Sequence, residues 1–220
     1  MIHSTIFPAE IRFEEIKVKK YIRTYAWSYV YEDYQRSKIR STERGSPTYS
    51  QSAYEDSILR NRDALQHYLE LIGMIIDEGY IKGHMKDDKF AVFAHRKDMC
   101  TVIAHYLKKR YSQYDVRRYI QEDPYKNLLM ADIRVTTLLS GGTAHDIPNL
   151  RGVLMTNNLQ SITGVLQCIG RLRELKDRDV QFHWMYCEQI AQHVKYHKER
   201  ITMIADRALY TKELRAPFLL

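Results

Sequence analysis

Long apolar runs are missing from this 220-residue chain, and none approaches the roughly 20 residues that a membrane-spanning helix needs. Its 9 Gly and 5 Pro are too few for a collagen-like or low-complexity protein. The three cysteines, Cys100, Cys168 and Cys187, are odd in number and widely spaced, which argues against a disulfide framework. Met1–Phe13 lacks a basic segment followed by an apolar one, so it is unlike a secretory signal. We therefore expect free thiols and a reducing, cytoplasmic compartment.

The composition is that of a globular protein with an uneven charge. Hydrophobic residues make up 45% of the chain and charged residues 28%, which suits one domain, or a domain with an extension, around a real core. Residues 1–88 carry 13 Lys or Arg against 14 Asp or Glu, whereas residues 89–220 carry 21 against 13. The basic excess of the second part favours a polyanionic partner such as nucleic acid or nucleotide phosphate, and a merely solubilising surface is the alternative.

The first 88 residues are predicted to form a mainly helical extension. Ile11–Val18 has weak strand character, and the polar segment Arg36–Ser52 is predicted to be a loop. Apolar residues at a 3.6 period predict a long helix from Ser52 to just before Gly79, with Ser52 as its cap and Glu55 as the reciprocal partner. This extension could face a duplex or a partner protein, but we favour a helix that completes the core. The turn-rich segment Lys82–Asp88 marks the predicted boundary.

Residues 89–220 alternate between strand-like and helix-like segments, which predicts a parallel α/β sheet flanked by helices, with right-handed crossovers. Lys89–Ala94 is a short apolar run, typical of a strand buried on both faces. Ligands of such sheets bind at the carboxyl ends of the strands. The predicted strands are 116–120, 133–136, 153–156 and 180–186, and the predicted helices are 95–111, 124–130, 161–175 and 188–209.

Three segments in order carry a family resemblance. Phe90–Ala94 is followed by His95 and Arg96, the loop 141–150 reads Gly-Gly-Thr-Ala-His-Asp-Ile-Pro-Asn-Leu, and 167–173 reads Gln-Cys-Ile-Gly-Arg-Leu-Arg. Together they resemble motifs IV, V and VI of superfamily 2 helicases, and the wording is closest to phage and large-virus members. The resemblance covers about residues 89–186. It implies a RecA-like fold, and it implies that residues 89–220 are the second motor domain of such a helicase.

The resemblance also implies roles for individual residues. Arg171 would be the arginine finger, with Arg173 as the second arginine, because a planar guanidinium matches phosphate oxygens. We expect Arg171 on an open face at the carboxyl ends of the strands. The residues implied for ATP binding are Gln167, Gly170, Asp146 and Ala144. Those implied for nucleic-acid binding, with DNA preferred to RNA, are His95, Arg96, Thr136, Thr137, Gly141, Gly142 and Thr143.

Three features depart from the family pattern. Ala144 stands where the family has a glycine two residues before Asp146. Glu174 stands where the second motif VI arginine belongs, and Arg173 is one residue early, about 100° round a helix. The chain also has no Gly-x-x-x-x-Gly-Lys-Ser/Thr loop and no Asp-Glu-x-His or Asp-Glu-Ala-Asp box. ATP and Mg²⁺ would therefore be bound mainly by a first RecA-like domain, in the same chain or another. We expect helicase or ATPase activity only together with that domain.

The alternative function is a non-catalytic basic module that binds nucleic acid or docks onto a partner motor. A small-molecule enzyme ranks below both, because no dinucleotide fingerprint is present. His193 and His197 are four residues apart and could bind zinc, but without further ligands we expect no metal site and two solvent-facing histidines. Ser161 is predicted to cap a helix rather than to act as a nucleophile.

Overall fold

A single parallel sheet organises the molecule. The computed structural model describes residues 19–32, 40–41, 48–141, 146–158 and 162–220. The seven strands of this sheet are β1 (Ile22–Tyr29), β4 (Lys89–Ala94), β5 (Val116–Tyr119), β6 (Ile133–Thr137), β7 (Leu150–Met155), β8 (Val180–Cys187) and β9 (Ala208–Arg215). They lie in the order β5-β6-β4-β7-β8-β1-β9, and every neighbouring pair is parallel. Two short strands, β2 (Arg40–Ser41) and β3 (Thr48–Tyr49), pair separately.

Helices cover both faces of the sheet. One face packs against α1 (Gln51–Arg60), α2 (Arg62–Ile76) and α3 (Lys97–Arg110). The other packs against α4 (Lys126–Met130), α6 (Ile162–Ile169) and α7 (Ala191–Ile204), while the short α5 (Leu138–Gly141) follows β6. Along β4, Phe90 and Val92 enter the first core and Ala91 and Phe93 the second. The prediction of a strand buried on both faces is confirmed, because β4 lies between β6 and β7.

The segment before residue 89 contributes to the same sheet. β1 lies between β8 and β9, with Ile22 opposite both Val180 and Ala208. The predicted boundary at residue 88 therefore does not separate two sheets, and the expectation of a mainly helical extension missed a strand. The expected strand at 11–18 lies outside the described residues.

The predicted long helix is two helices. Asn61 interrupts it, and its side chain accepts a hydrogen bond from the Ala64 N–H at 3.1 Å, which caps α2. Ser50, and not the predicted Ser52, caps α1 by accepting the Ala53 N–H at 3.3 Å. A π-turn (Asp77–Ile81) ends α2. Glu55 is therefore not the partner in a capping box.

Two other predicted helices are too long. Helix α6 ends at Ile169 instead of 175, and so Arg171 and Arg173 lie in the turn that follows. A helical offset of 100° between positions 173 and 174 therefore does not apply. Helix α7 ends at Ile204 instead of 209, and the unpredicted edge strand β9 follows. No helix among the described residues is long and apolar enough to cross a membrane.

Candidate functional site

The turn between β4 and α3 carries His95 and Arg96, and helix α1 holds it in place. The Glu55 carboxylate accepts the backbone N–H of His95 at 2.9 Å and that of Arg96 at 2.7 Å. Ser52 Oγ lies 2.8 Å from His95 Nε2, and Asp56 Oδ1 lies 3.0 Å from Arg96 Nε. Three side chains of one helix therefore contact both the backbone and the side chains of this turn.

Glu55 is completely buried, which is unusual for a carboxylate. Burial raises the pKa of the Glu55 carboxyl from its ordinary 4.5 to about 7, while the hydrogen bonds from His95, Arg96 and Gln51 act in the opposite direction. Gln51 extends the network, because its Oε1 accepts the Asn158 N–H at 2.9 Å. The buried polar groups thus connect the carboxyl ends of β4 and β7.

The carboxyl end of β6 has its polar groups turned inward. Thr136 is fully buried and its hydroxyl donates to the Thr137 carbonyl at 3.3 Å. Thr137 Oγ1 accepts the Ser140 N–H at 3.1 Å, so it caps α5. A Cβ at Gly141 would lie 2.5 Å from Thr136 Cγ2, which explains the glycine there. Both threonine hydroxyls therefore make hydrogen bonds within the chain. The other predicted residues of the loop, Gly142, Thr143 and Ala144, lie outside the described residues.

Arg171 and Arg173 share a pocket of about 260 Å³, but they differ in exposure. Arg171 is 7% exposed, whereas the Arg173 side chain is 69% exposed and its Nε lies 3.5 Å from Asp146 Oδ1. Burial lowers the pKa of the Arg171 guanidinium, and the nearby Cys168 and Asp146 oppose that effect. Arg173 is therefore the accessible arginine of the pair.

The pocket lies between two segments that lead into the amino ends of strands. Its lining residues are Asp146, Ile147, Pro148, Asn149, Leu150, Arg171, Arg173 and Leu175. Residues 146–149 enter β7, and residues 171–175 precede β8. The expectation that Arg171 lies on an open face at the carboxyl ends of the strands is therefore wrong.

Gln167 and Gly170 complete the predicted nucleotide set. Gln167 is exposed on α6. The Gly170 N–H donates to the Leu166 carbonyl at 2.8 Å, and a Cβ at Gly170 would stand 3.0 Å from that oxygen. A side chain at position 170 would thus crowd the end of α6, where the chain turns towards Arg171 and Arg173. The role of both residues stays a prediction.

The two histidines of α7 are core residues, so the expectation of solvent-facing side chains is wrong. His193 accepts the Cys187 N–H at 3.1 Å, and burial lowers its pKa to about 3. His197 accepts the Trp184 Nε1–H at 3.1 Å and stacks on Tyr186, with ring centroids 4.1 Å apart. Across the part of the chain that the structure describes, no group of three or more His, Cys, Asp or Glu could hold a metal ion.

The contacts of Glu55 and Asp56 with the turn at residues 95–96 were not predicted from the sequence. Glu55 lies between apolar positions of α1, and its partners His95 and Arg96 are about 40 residues further along the chain. A carboxylate on the buried face of a helix is the one local signal that could have found it, because such a group needs a partner.

No protein-family model matches this chain, and no curated protein does. Solved structures match it at low identity. The C-terminal domain of the DEAD-box protein Dbp5, from S. cerevisiae, has a TM-score of 0.54 at 11% identity, over 91% of this chain and 92% of that one. Domain 2 of the DEAD-box helicase Mss116p, bound to an RNA duplex, has a TM-score of 0.54 at 12% identity, over 89% of this chain and 64% of that one.

A second Mss116p structure, bound to ssRNA and AMP-PNP, has a TM-score of 0.56 at 13% identity and covers 90% of this chain. This chain spans 33% of that protein and 64% of the Mss116p structure with the duplex. At these identities the matches establish the fold alone. The seven-stranded parallel sheet and its flanking helices have a RecA-like α/β fold.

Proposed function

We propose that this chain is the second motor domain of an ATP-dependent nucleic-acid helicase or translocase, acting with a first RecA-like domain. The observation that carries the proposal is the pairing of fold and site. In this RecA-like fold, Arg171, Arg173 and Asp146, which carry the resemblance to motifs V and VI, line one pocket. Arginines in that position would neutralise the charge that develops on a transferring γ-phosphoryl group.

The described residues fit part of a nucleotide site. Two guanidinium groups suit phosphate oxygens, so Arg173 and Arg171 would contact ATP. Gln167 is proposed to contact the nucleotide as well. Mg²⁺, when bound, neutralises phosphate charge, and the first domain would hold it, since no carboxylate cluster stands in the described part of this chain. Ala144 belongs to the same proposed set.

A comparison of arginine variants tests the proposal. ATP hydrolysis is measured with the chain alone and then with a first RecA-like domain, supplied in the same polypeptide or separately. We expect no hydrolysis by the chain alone and nucleic-acid-stimulated hydrolysis with the added domain. Arg173→Ala and Arg171→Ala should each reduce it by about 10³-fold or more. The exposed Arg62→Ala on α2 is the matched control and should keep full activity.

Two results would contradict this assignment. Nucleic-acid-stimulated turnover by the isolated chain would remove the need for another domain. Restored activity that survives both arginine substitutions would remove these residues from the nucleotide site.

The nucleic acid is proposed to be DNA, because the sequences of motifs V and VI resemble those of phage helicases. The Mss116p structures contain RNA, and so matched DNA and RNA strands belong in every binding assay. Stronger stimulation by RNA would overturn the choice of DNA without affecting the motor assignment.

A basic binding module is the second candidate, favoured by the excess of Lys and Arg in residues 89–220. It predicts that Arg171→Ala leaves every partner-dependent activity intact, or lowers only the salt-sensitive affinity for nucleic acid. The ATPase comparison above separates the two functions.

A further inference from the structure

Helix α1 approaches a turn that the proposed function assigns to nucleic-acid binding. The cationic residue of this turn is Arg96, and its side chain is 34% exposed. Two carboxylates border it: Asp56 on α1, at 3.0 Å from Nε, and Asp98 in the first turn of α3, at 3.3 Å from Nη2. The guanidinium that would meet a phosphate therefore already has two internal anions beside it.

The contact with Asp56 is an ion pair and not a hydrogen bond. Arg96 Nε is buried, and within the part of the chain that the structure describes its N–H has no hydrogen-bond acceptor, although Asp56 Oδ1 lies 3.0 Å away. The Asp98 contact is a hydrogen bond to a 72% exposed carboxylate. Partly exposed pairs of this kind are weak, worth at most a few-fold in an equilibrium constant, so a phosphate group can displace them.

The backbone beneath Arg96 is fixed much more firmly. Glu55 accepts two backbone N–H groups from a fully buried position, and Ser52 holds the His95 ring. The turn itself is thus rigid, while the Arg96 side chain can change partners. A fixed backbone with a weakly held cation allows the partner of that cation to control the affinity of the turn for nucleic acid.

We propose that Asp56 is a positioning residue that competes with nucleic-acid phosphate for Arg96, so that α1 sets the affinity of this turn for the strand. The inference rests on the proposed function, because it requires that Arg96 contact nucleic acid. Asp56 holds the guanidinium over α1 in the free protein. A phosphate oxygen replaces Asp56 when the strand binds, and the carboxylate turns to solvent.

Equilibrium binding of a fluorescent 20-nucleotide single strand tests the proposal, with DNA and RNA versions titrated at several salt concentrations against the full chain. Arg96→Ala should weaken binding and reduce the slope of log affinity against log salt by about one. Asp56→Asn should strengthen binding about two- to five-fold at low salt. In the double variant the gain should vanish, so that it binds like Arg96→Ala alone.

Two controls separate a specific effect from net charge. Asp63→Asn removes one negative charge from the exposed first turn of α2 and should leave affinity nearly unchanged. Asp56→Glu keeps a carboxylate at this position, unlike Asp56→Asn, and should have the wild-type affinity. Circular dichroism confirms that each variant is folded, which is expected because position 56 is partly exposed.

The possible failures are distinct. An equal gain for Asp56→Asn and Asp63→Asn, or a gain that persists without Arg96, would overturn the competition and leave strand binding by Arg96 intact. Unchanged affinity and salt slope for Arg96→Ala would instead remove Arg96 from the strand-binding surface, and this inference would fall with it.

Discussion

Glu55 should make the stability of this protein depend on pH in an unusual direction. Its carboxyl has a pKa of about 7 in the folded chain and about 4.5 when unfolded. Between these values the folded state binds more protons than the unfolded state, so stability falls as pH rises. A pKa difference of about 2.5, at about 1.4 kcal/mol per pH unit, gives a loss of about 3 kcal/mol between pH 4.5 and 7.

Glu55→Gln isolates this contribution, because an amide of the same size cannot ionise. Urea unfolding, followed by the fluorescence of the buried Trp27 and Trp184, gives the free energy of unfolding at pH 5, 6, 7 and 8. We expect the wild type to lose about 2.5 kcal/mol relative to Glu55→Gln between pH 5 and 8, and the difference to level off above about pH 8. Glu70→Gln on α2 controls for the substitution itself. A constant difference between wild type and Glu55→Gln would refute the raised pKa and the burial that causes it.

Two further predictions concern packing. Gly141→Ala should destabilise the protein by about 1 to 3 kcal/mol, because its Cβ would meet Thr136 at 2.5 Å, and thermal unfolding would show it; an unchanged Tm would contradict the contact. Arg200 is buried and donates a hydrogen bond of 3.4 Å to the Asn157 carbonyl, while its Nε and Nη1 have no hydrogen-bond partner among the described residues. Arg200→Met should therefore leave the free energy of unfolding unchanged or raise it, and a loss above about 3 kcal/mol would show that the charge is compensated.

The central strands were readable from the sequence because burial on both faces leaves short apolar runs. β4 is such a run, and so are residues 153–155 of β7. β8 was predicted instead from the alternating pattern of residues 180–186. β1 and β9 were missed because neither forms a continuous apolar run. β1 mixes Arg23, Thr24 and Ser28 with its apolar residues, and most positions of β9 are exposed at the edge of the sheet. An edge strand needs little apolar content, so its sequence resembles a polar helix or a loop.

The candidate site was only partly predictable. Asp146, Arg171 and Arg173, which the motif resemblance singled out, line one pocket, and their roles stay predictions. Which arginine is exposed depends on where α6 ends and on what packs against the turn, and neither follows from local periodicity. Glu55 shows the same limit, because its role is set by a turn that lies about 40 residues away in the chain.

The position of β1 in the sheet determines how late in synthesis this chain can complete its fold. Ile22 is hydrogen-bonded into the sheet by strands that begin at Val180 and Ala208, and so its neighbours are made last during synthesis. Such pairings between distant residues form slowly, because the entropy of closing a long loop is lost before the paired strands contribute stabilising free energy. In a chain that stops before residue 208, one side of β1 would have unpaired backbone N–H and C=O groups. Such an exposed strand edge favours aggregation, so premature termination there should yield aggregates and not a smaller folded core.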